Sequence, residues 1–199
     1  MNEVFFTADL HFSHRRIIEL AKRNFANVQE HDDSLIASWN SVVTHRSDVV
    51  FILGDLAFGP KAKIIQILRR LNGRKVLIRG NHDGSVKGPE IMKFFEFEKQ
   101  IYSRRFGETK VWMSHFPLET WPGMYEGAIL CHGHSHGNLP PAYHRLDVGV
   151  DVHGRPITLA EVKERMIKDP VFDRASLYRQ QRDELREKLR NIGDVLMGR

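Results

Sequence analysis

Three short apolar runs, Val4 to Ala8, Val49 to Leu53 and Lys75 to Ile78, each stop abruptly at a polar cluster. Apolar segments this short, rich in Val, Ile and Phe, read as buried strands. The chain between them has helical spacing. Ile17, Ile18 and Ala21 recur within residues 15–23, and Leu35, Ile36, Trp39 and Val43 lie behind a cap expected at Asp32 or Asp33. Ile64, Ile67, Leu68 and Leu71 follow Pro60 in the first turn of a third helix, which Asn72-Gly73 ends. Strand, helix, strand, helix, strand is α/β grammar, which joins parallel neighbours by right-handed crossovers.

After residue 96 the pattern changes. Residues 97–106, 110–113, 127–130 and 145–150 read as strands separated by turns and loops. A second sheet packed on the first, with helices outside, accounts for this better than one doubly wound sheet. Residues 1–170 are expected to form one domain and 171–199 a charged helical extension with a narrow apolar seam at Leu185, Leu189, Ile192 and Leu196. That seam suits docking on its own domain and self-association equally well.

The polar clusters supply the chemistry. In order they are Asp9-Leu10-His11, Gly54-Asp55, Gly80-Asn81-His82-Asp83, Ser114-His115 and Gly133-His134-Ser135-His136-Gly137. Loops at the ends of such strands converge on one crevice. Two carboxylates, an amide oxygen and several imidazoles gathered there suit a pair of divalent ions, and such a pair mostly serves to attack phosphate esters. Histidine, the commonest metal-ligand side chain, occurs 11 times.

Composition narrows the setting. With 199 residues, 41% of them hydrophobic, one domain with a sizeable core is expected. A single cysteine, Cys131, excludes an internal disulfide framework, fits a reducing compartment and suits a small buried hydrophobe. The start of the chain carries no readable signal peptide, and no run approaches the roughly 20 apolar residues of a membrane span, so a cytoplasmic protein without a membrane partner is expected. A net charge of +5 suits nucleic acid or a small phosphate alike. The basic stretch 61–79 reads first as a solvated helix face and second as an anion-steering patch.

Together, the five motifs resemble the calcineurin-like metallophosphoesterase superfamily from Asp9 to Asp151, most closely its small single-domain bacterial and phage members. The resemblance implies an α/β (α+β) fold, a four-layer αββα sandwich of two mixed sheets flanked by helices. It also implies that one metal is held by Asp9, His11, Asp55 and His136, and a second by Asp55, Asn81, His115 and His134, with Asp55 bridging. Two such ions would bring more positive charge than Asp9 and Asp55 return, so the site attracts phosphate. A water between the ions is then the expected nucleophile. Mixed N/O ligands without thiolate suit Mn, Fe, Zn or Ni, and the resemblance favours Mn2+. His82 matches the family's catalytic histidine, expected either to stabilise the charged transition state or to give a proton to the leaving oxygen, and Asp83 is expected either to orient it or to serve the turn.

Further candidates sit around this set. His14 and Arg15 are expected to contact substrate phosphate or to be a solvated helical turn, and Arg16 likewise. The aromatic loop 116–127 suits packing on the domain slightly better than stacking a nucleobase. Asp147 and Asp151 are expected to support the ligands from behind. Asn40 reads as an ordinary polar position and His31, His45, His144 and His153 as surface residues, while His132 lies outside the ligand pattern. The expected activity is hydrolysis of a small phosphomonoester or phosphodiester, nucleotides included. Nuclease action on DNA or RNA ranks second, and a non-catalytic interaction scaffold third. A homodimer through the C-terminal helix completes the expectations.

Overall fold

The computed structural model describes residues 3–140, 142–168, 182 and 184–187. Two mixed sheets with flanking helices form an α/β fold, as expected. β1 (Val4–Thr7), β2 (Val49–Ile52), β3 (Arg74–Ile78) and β4 (Phe95–Lys99) run parallel, with β9 (Ile157–Thr158) antiparallel on the far side of β1. The second sheet has the order β5 (Ile101–Phe106), β6 (Thr109–Ser114), β7 (Ile129–His132) and β8 (Arg145–Asp147), with only the β5–β6 pair antiparallel.

Strand alternation divides the core. Phe5, Val50, Ile52 and Leu77 point outward, onto Leu35, Ile36 and Trp39 of α2 (Val28–Val42) and Ile64, Ile67 and Leu68 of α3 (Lys61–Arg70). Phe6, Phe51, Val76 and Ile78 point inward, onto Val111, Met113, Ile129 and Cys131 of the second sheet. Val162 of α6 (Leu159–Lys168) joins that inter-sheet layer. On the outer face of the second sheet, Trp121 and Met124 of the 116–127 loop cover Leu130, so packing is the part those two residues play.

Several boundaries differ from expectation, each for a local reason. The second helix starts at Val28 because Asn27 is the cap, its Oδ1 accepting from Gln29 N at 3.0 Å and Glu30 N at 2.9 Å. Asp32, expected there, is buried one turn further on. The helix expected over 15–23 shrinks to α1 (Ile17–Leu20), since Lys22 turns left-handed at φ 52° and sends Arg23 inward. Residues 97–106 are two strands in different sheets, parted at Gln100 with no glycine or proline to mark the break. The strand after Gly127 runs Ile129–His132, and 145–150 holds only the short β8 before α5 (Val150–His153). Pro60 is the cap of α3 rather than part of its first turn. Within the C-terminal extension, Leu189, Ile192 and Leu196 of the seam lie outside the described residues. Among the described residues no helix is long and apolar enough to cross a membrane.

Candidate metal centre

Five of the strands end on candidate ligands. Asp9 and His11 follow β1, Asp55 follows β2 and Asn81 follows β3. His115 follows β6, and His134 and His136 follow β7. Asp9, His11 and His136 offer ligand atoms within 4.8 Å of one another, and so do Asp9, Asp55 and His115. A cleft of about 600 Å³ opens over them, lined by His11, Asp55, His82, His134 and His136.

The backbone is bent to make this possible. Asp9, His11, Asp55, His134 and His136 all adopt left-handed φ, between 49° and 70°. Such values are uncommon outside glycine and collect at functional sites. Gly80 lets the third motif approach the second, for a Cβ there would fall on Asp55 Oδ1 and lie 2.6 Å from Asp55 N.

The donor set fits cations. Asp55 Oδ1 accepts from His82 N at 2.8 Å, which leaves Oδ2 placed 3.6 Å from His11 Nε2 and 3.5 Å from His115 Nε2. His115 Nδ1 donates to Leu53 O at 2.8 Å, so its Nε2 presents a lone pair, and that lone pair faces Asn81 Oδ1 at 2.9 Å. Two acceptors directed at one another are what a positive ion would join. His136 repeats the pattern: Nδ1 bonds Asp151 Oδ2 at 2.6 Å and Nε2 faces Asp9 Oδ1 at 4.0 Å. Both ring nitrogens of His11 are buried with no hydrogen-bond partner among the described residues. Orphaned polar atoms of this kind are rare in native interiors.

Electrostatics agree. Burial pushes the Asp9 carboxyl up to about 8, against which nearby His136 and the hydrogen bond from His134 N pull. Burial, reinforced by His136 and Arg23, pushes His11 down to about 2, so its ring is neutral and ligand-ready. A resident cation inverts the cost of ionising Asp9. For Asp151, burial opposes ionisation, but the hydrogen bonds from His136 and Arg23 outweigh it and hold the carboxyl at about 2.

Other expected residues separate. His14 lines the cleft, stacked on Phe58 with ring centroids 4.2 Å apart. Arg15 lines a different depression beside Asn27, and Arg16 is the arginine that borders the cleft. Asp83 braces backbone: its carboxylate accepts from Asp55 N, Leu56 N and Gly80 N at 2.7–3.1 Å. Asp147 accepts from Ser135 Oγ and Gly137 N, so both expected supporting carboxylates stand behind the last motif. Asn40, expected as an ordinary polar position, clamps the end of α3 through Arg70 O and Asn72 N. His45 is exposed and His144 and His153 half-buried, but His31, expected at the surface, is fully buried between Arg23 and Asp32. It lies one turn before Leu35 on the inward side of the helix, where the spacing of the apolar residues already points. Phe116 is half exposed and packs edge-on against His134 at 4.8 Å, so the aromatic loop borders the cleft as well as covering the sheet.

Known proteins resemble the chain in sequence and in fold. The chain is 34% identical over 195 residues to the gene 66 protein of Mycobacterium phage L5, covering 81% of this chain and 93% of that one. It is 33% identical to an uncharacterized protein of Methanocaldococcus jannaschii, over 80% of this chain and 88% of the relative. A crystal structure of a protein of unknown function from Aquifex aeolicus superposes with a TM-score of 0.66 at 24% identity, covering 82% of this chain and 99% of that one, which shows the shared fold. The family model for calcineurin-like phosphoesterases matches residues 3–189, and the chain therefore belongs to that metal-dependent family.

Proposed function

We propose that this protein hydrolyses small phosphomonoesters or phosphodiesters, nucleotides among them, with two divalent metal ions. Supporting this most directly is the acceptor-against-acceptor geometry of His115 Nε2 and Asn81 Oδ1, beside an Asp55 oxygen directed between His11 and His115. Asp9, His11, Asp55 and His136 would hold one ion, and Asp55, Asn81, His115 and His134 the other. Mn2+ is the proposed metal, and Fe, Zn and Ni suit the same N/O set. Ions bound there supply Lewis-acid charge to the phosphoryl oxygens and acidify a water for attack.

The chain's own residues do the rest. His82, on the exposed lip of the cleft and anchored through its N–H to Asp55 Oδ1, gives its proton to the leaving-group oxygen as the P–O bond breaks. Asp83 keeps the second and third motifs in register by accepting from both of their backbones. His14 and Arg16, which border the cleft, contact the substrate beside the metals, whereas Arg15 lines a neighbouring depression. Phe58 holds the His14 ring from behind.

The test is hydrolysis of p-nitrophenyl phosphate and bis-p-nitrophenyl phosphate with Mn2+ and after chelation. Turnover that needs the metal is expected. Preference for the diester would indicate nucleotide or nucleic-acid substrates, whereas metal uptake without turnover of either ester would overturn the enzymatic reading.

A further inference from the structure

The guanidinium of Arg23 is matched donor for donor in the interior. Nε donates to Asp151 Oδ1 at 2.7 Å, Nη2 to Asp151 Oδ2 at 2.7 Å and Asp9 O at 2.7 Å, and Nη1 to Leu10 O at 3.1 Å and His31 Nε2 at 2.7 Å. Those contacts use all five N–H groups of an arginine. Its side chain is only 6% exposed. Because His31 Nε2 accepts, His31 Nδ1 carries the proton and donates to Asp32 Oδ1 at 3.0 Å. Asp32 in turn accepts from Ser13 N at 2.9 Å and Ser13 Oγ at 3.1 Å. At the other end, the Asp151 oxygen that takes Nη2 also takes His136 Nδ1.

We propose that Arg23 is a positioning residue of the metal centre. Through Asp151 it fixes the ring of His136, and through two carbonyls it holds the loop that carries Asp9 and His11. The proposal rests on the assignment of Asp9, His11 and His136 to one shared ion. That loop needs holding: Asp9, His11 and Ser13 all have left-handed φ, at 56°, 50° and 61°. Arg23 takes the carbonyls of Asp9 and Leu10, and Asp32 takes the amide of Ser13, so the network grips the loop on both sides. A buried ion pair is a poor source of net stability, because desolvation offsets the attraction. Its value here lies in geometry. One chain of contacts ties the first motif to the last, which are more than a hundred residues apart in sequence. A lysine carries a point charge without the planar fork and cannot meet five acceptors at once.

Calorimetric titration with Mn2+ alone tests this on the full chain. Wild type is expected to show two sites. Arg23→Lys should weaken one of them by about 10- to 100-fold and leave the other unchanged, as should Asp151→Asn. The double variant should lose less than the product of the two single losses, since both substitutions act on His136 through the Arg23–Asp151 contact while only Arg23 also holds the two carbonyls. In Arg23→Ala, added guanidinium should restore the lost site, a rescue that general loosening would not give. Should Arg23→Lys lose its cooperative thermal transition, Asp32→Asn cuts the chain at its far end and should weaken the same site. A folded Arg23→Lys or Asp32→Asn protein with both sites at wild-type affinity overturns the proposal. Losses that multiply in the double variant do so as well. Wild-type protein that takes up no Mn2+ would instead overturn the ligand assignment beneath it.

Discussion

The two sheets serve the centre differently. The first gives both carboxylates, with His11 and Asn81 beside them: Asp9 and Asp55 are buried, and each carboxylate is anchored by a backbone N–H, from His134 and His82 respectively. The second gives imidazoles alone. His115 is buried against Leu53 O, but His134 is exposed and His136 half-buried, and His136 is steered by side chains. The charged ligands are thus both buried, whereas among the neutral donors Asn81 and His134 face the solvent side. Buried carboxylates without a cation would be expensive, whereas an exposed imidazole is not. Each half is incomplete alone, since Asp9 belongs to a ligand group with His136 and to another with His115.

Substitutions can break this comparison. Asp55→Ala, in the first half, should remove both ions and cut turnover by more than about a hundredfold, beyond what losing an outer partner does. His134→Ala should cost far less metal. Equal losses of bound Mn2+, measured by elemental analysis, would erase the distinction between halves. His82→Ala should lower kcat by about 10²–10⁴ with both ions retained, and loss of the ions would show that it acts as structure rather than as acid. Gly80→Ala should destabilise by about 1–3 kcal/mol, read from urea unfolding, because the new methyl meets Asp55 backbone and carboxylate alike. Finally, Asp9 is neutral in the metal-free protein below its raised value near 8. A metal must displace that proton, so apparent Mn2+ affinity should fall about tenfold per pH unit below 8. The folded state also binds more protons than the unfolded one between about 4 and 8, so metal-free stability attributable to Asp9 falls as pH rises through that window. The thermal shift on adding Mn2+ should therefore grow from pH 6 to pH 8, and a flat profile would contradict the burial of Asp9.

Much of this was readable from the chain. The ends of β1, β2 and β3 were legible because a buried parallel strand is a continuous apolar run, and its last residue abuts the ligand. The support behind the ligands was not. Arg23 lies in a polar stretch where nothing in residue type separates a buried guanidinium from a solvated one, whereas His31 and Asp32 lie one turn before Leu35 and Ile36 on the inward face, a signal that the cap expected at Asp32 or Asp33 obscures. Asp151 was noticed, but its partners are set by contacts over 15 and 128 positions. The parting at Gln100 was hidden because a single residue separates β4 from β5 and no glycine or proline marks the change of sheet. Local pattern specifies strands and caps, whereas long-range pairing decides which polar groups go inside.

The left-handed backbone at Asp9, His11, Asp55, His134 and His136 also limits how the centre can be retuned. Aspartate, asparagine and histidine are the non-glycine residues most at ease in that conformation. They are also hard or borderline donors. Replacing any of them by cysteine or glutamate, the usual route to a softer or more acidic site, would bring backbone strain along with the new donor. Swaps within the Asp–Asn–His set would not. The conformation of the chain thus restricts the alphabet of ligands, and with it the range of metals that substitution alone can reach.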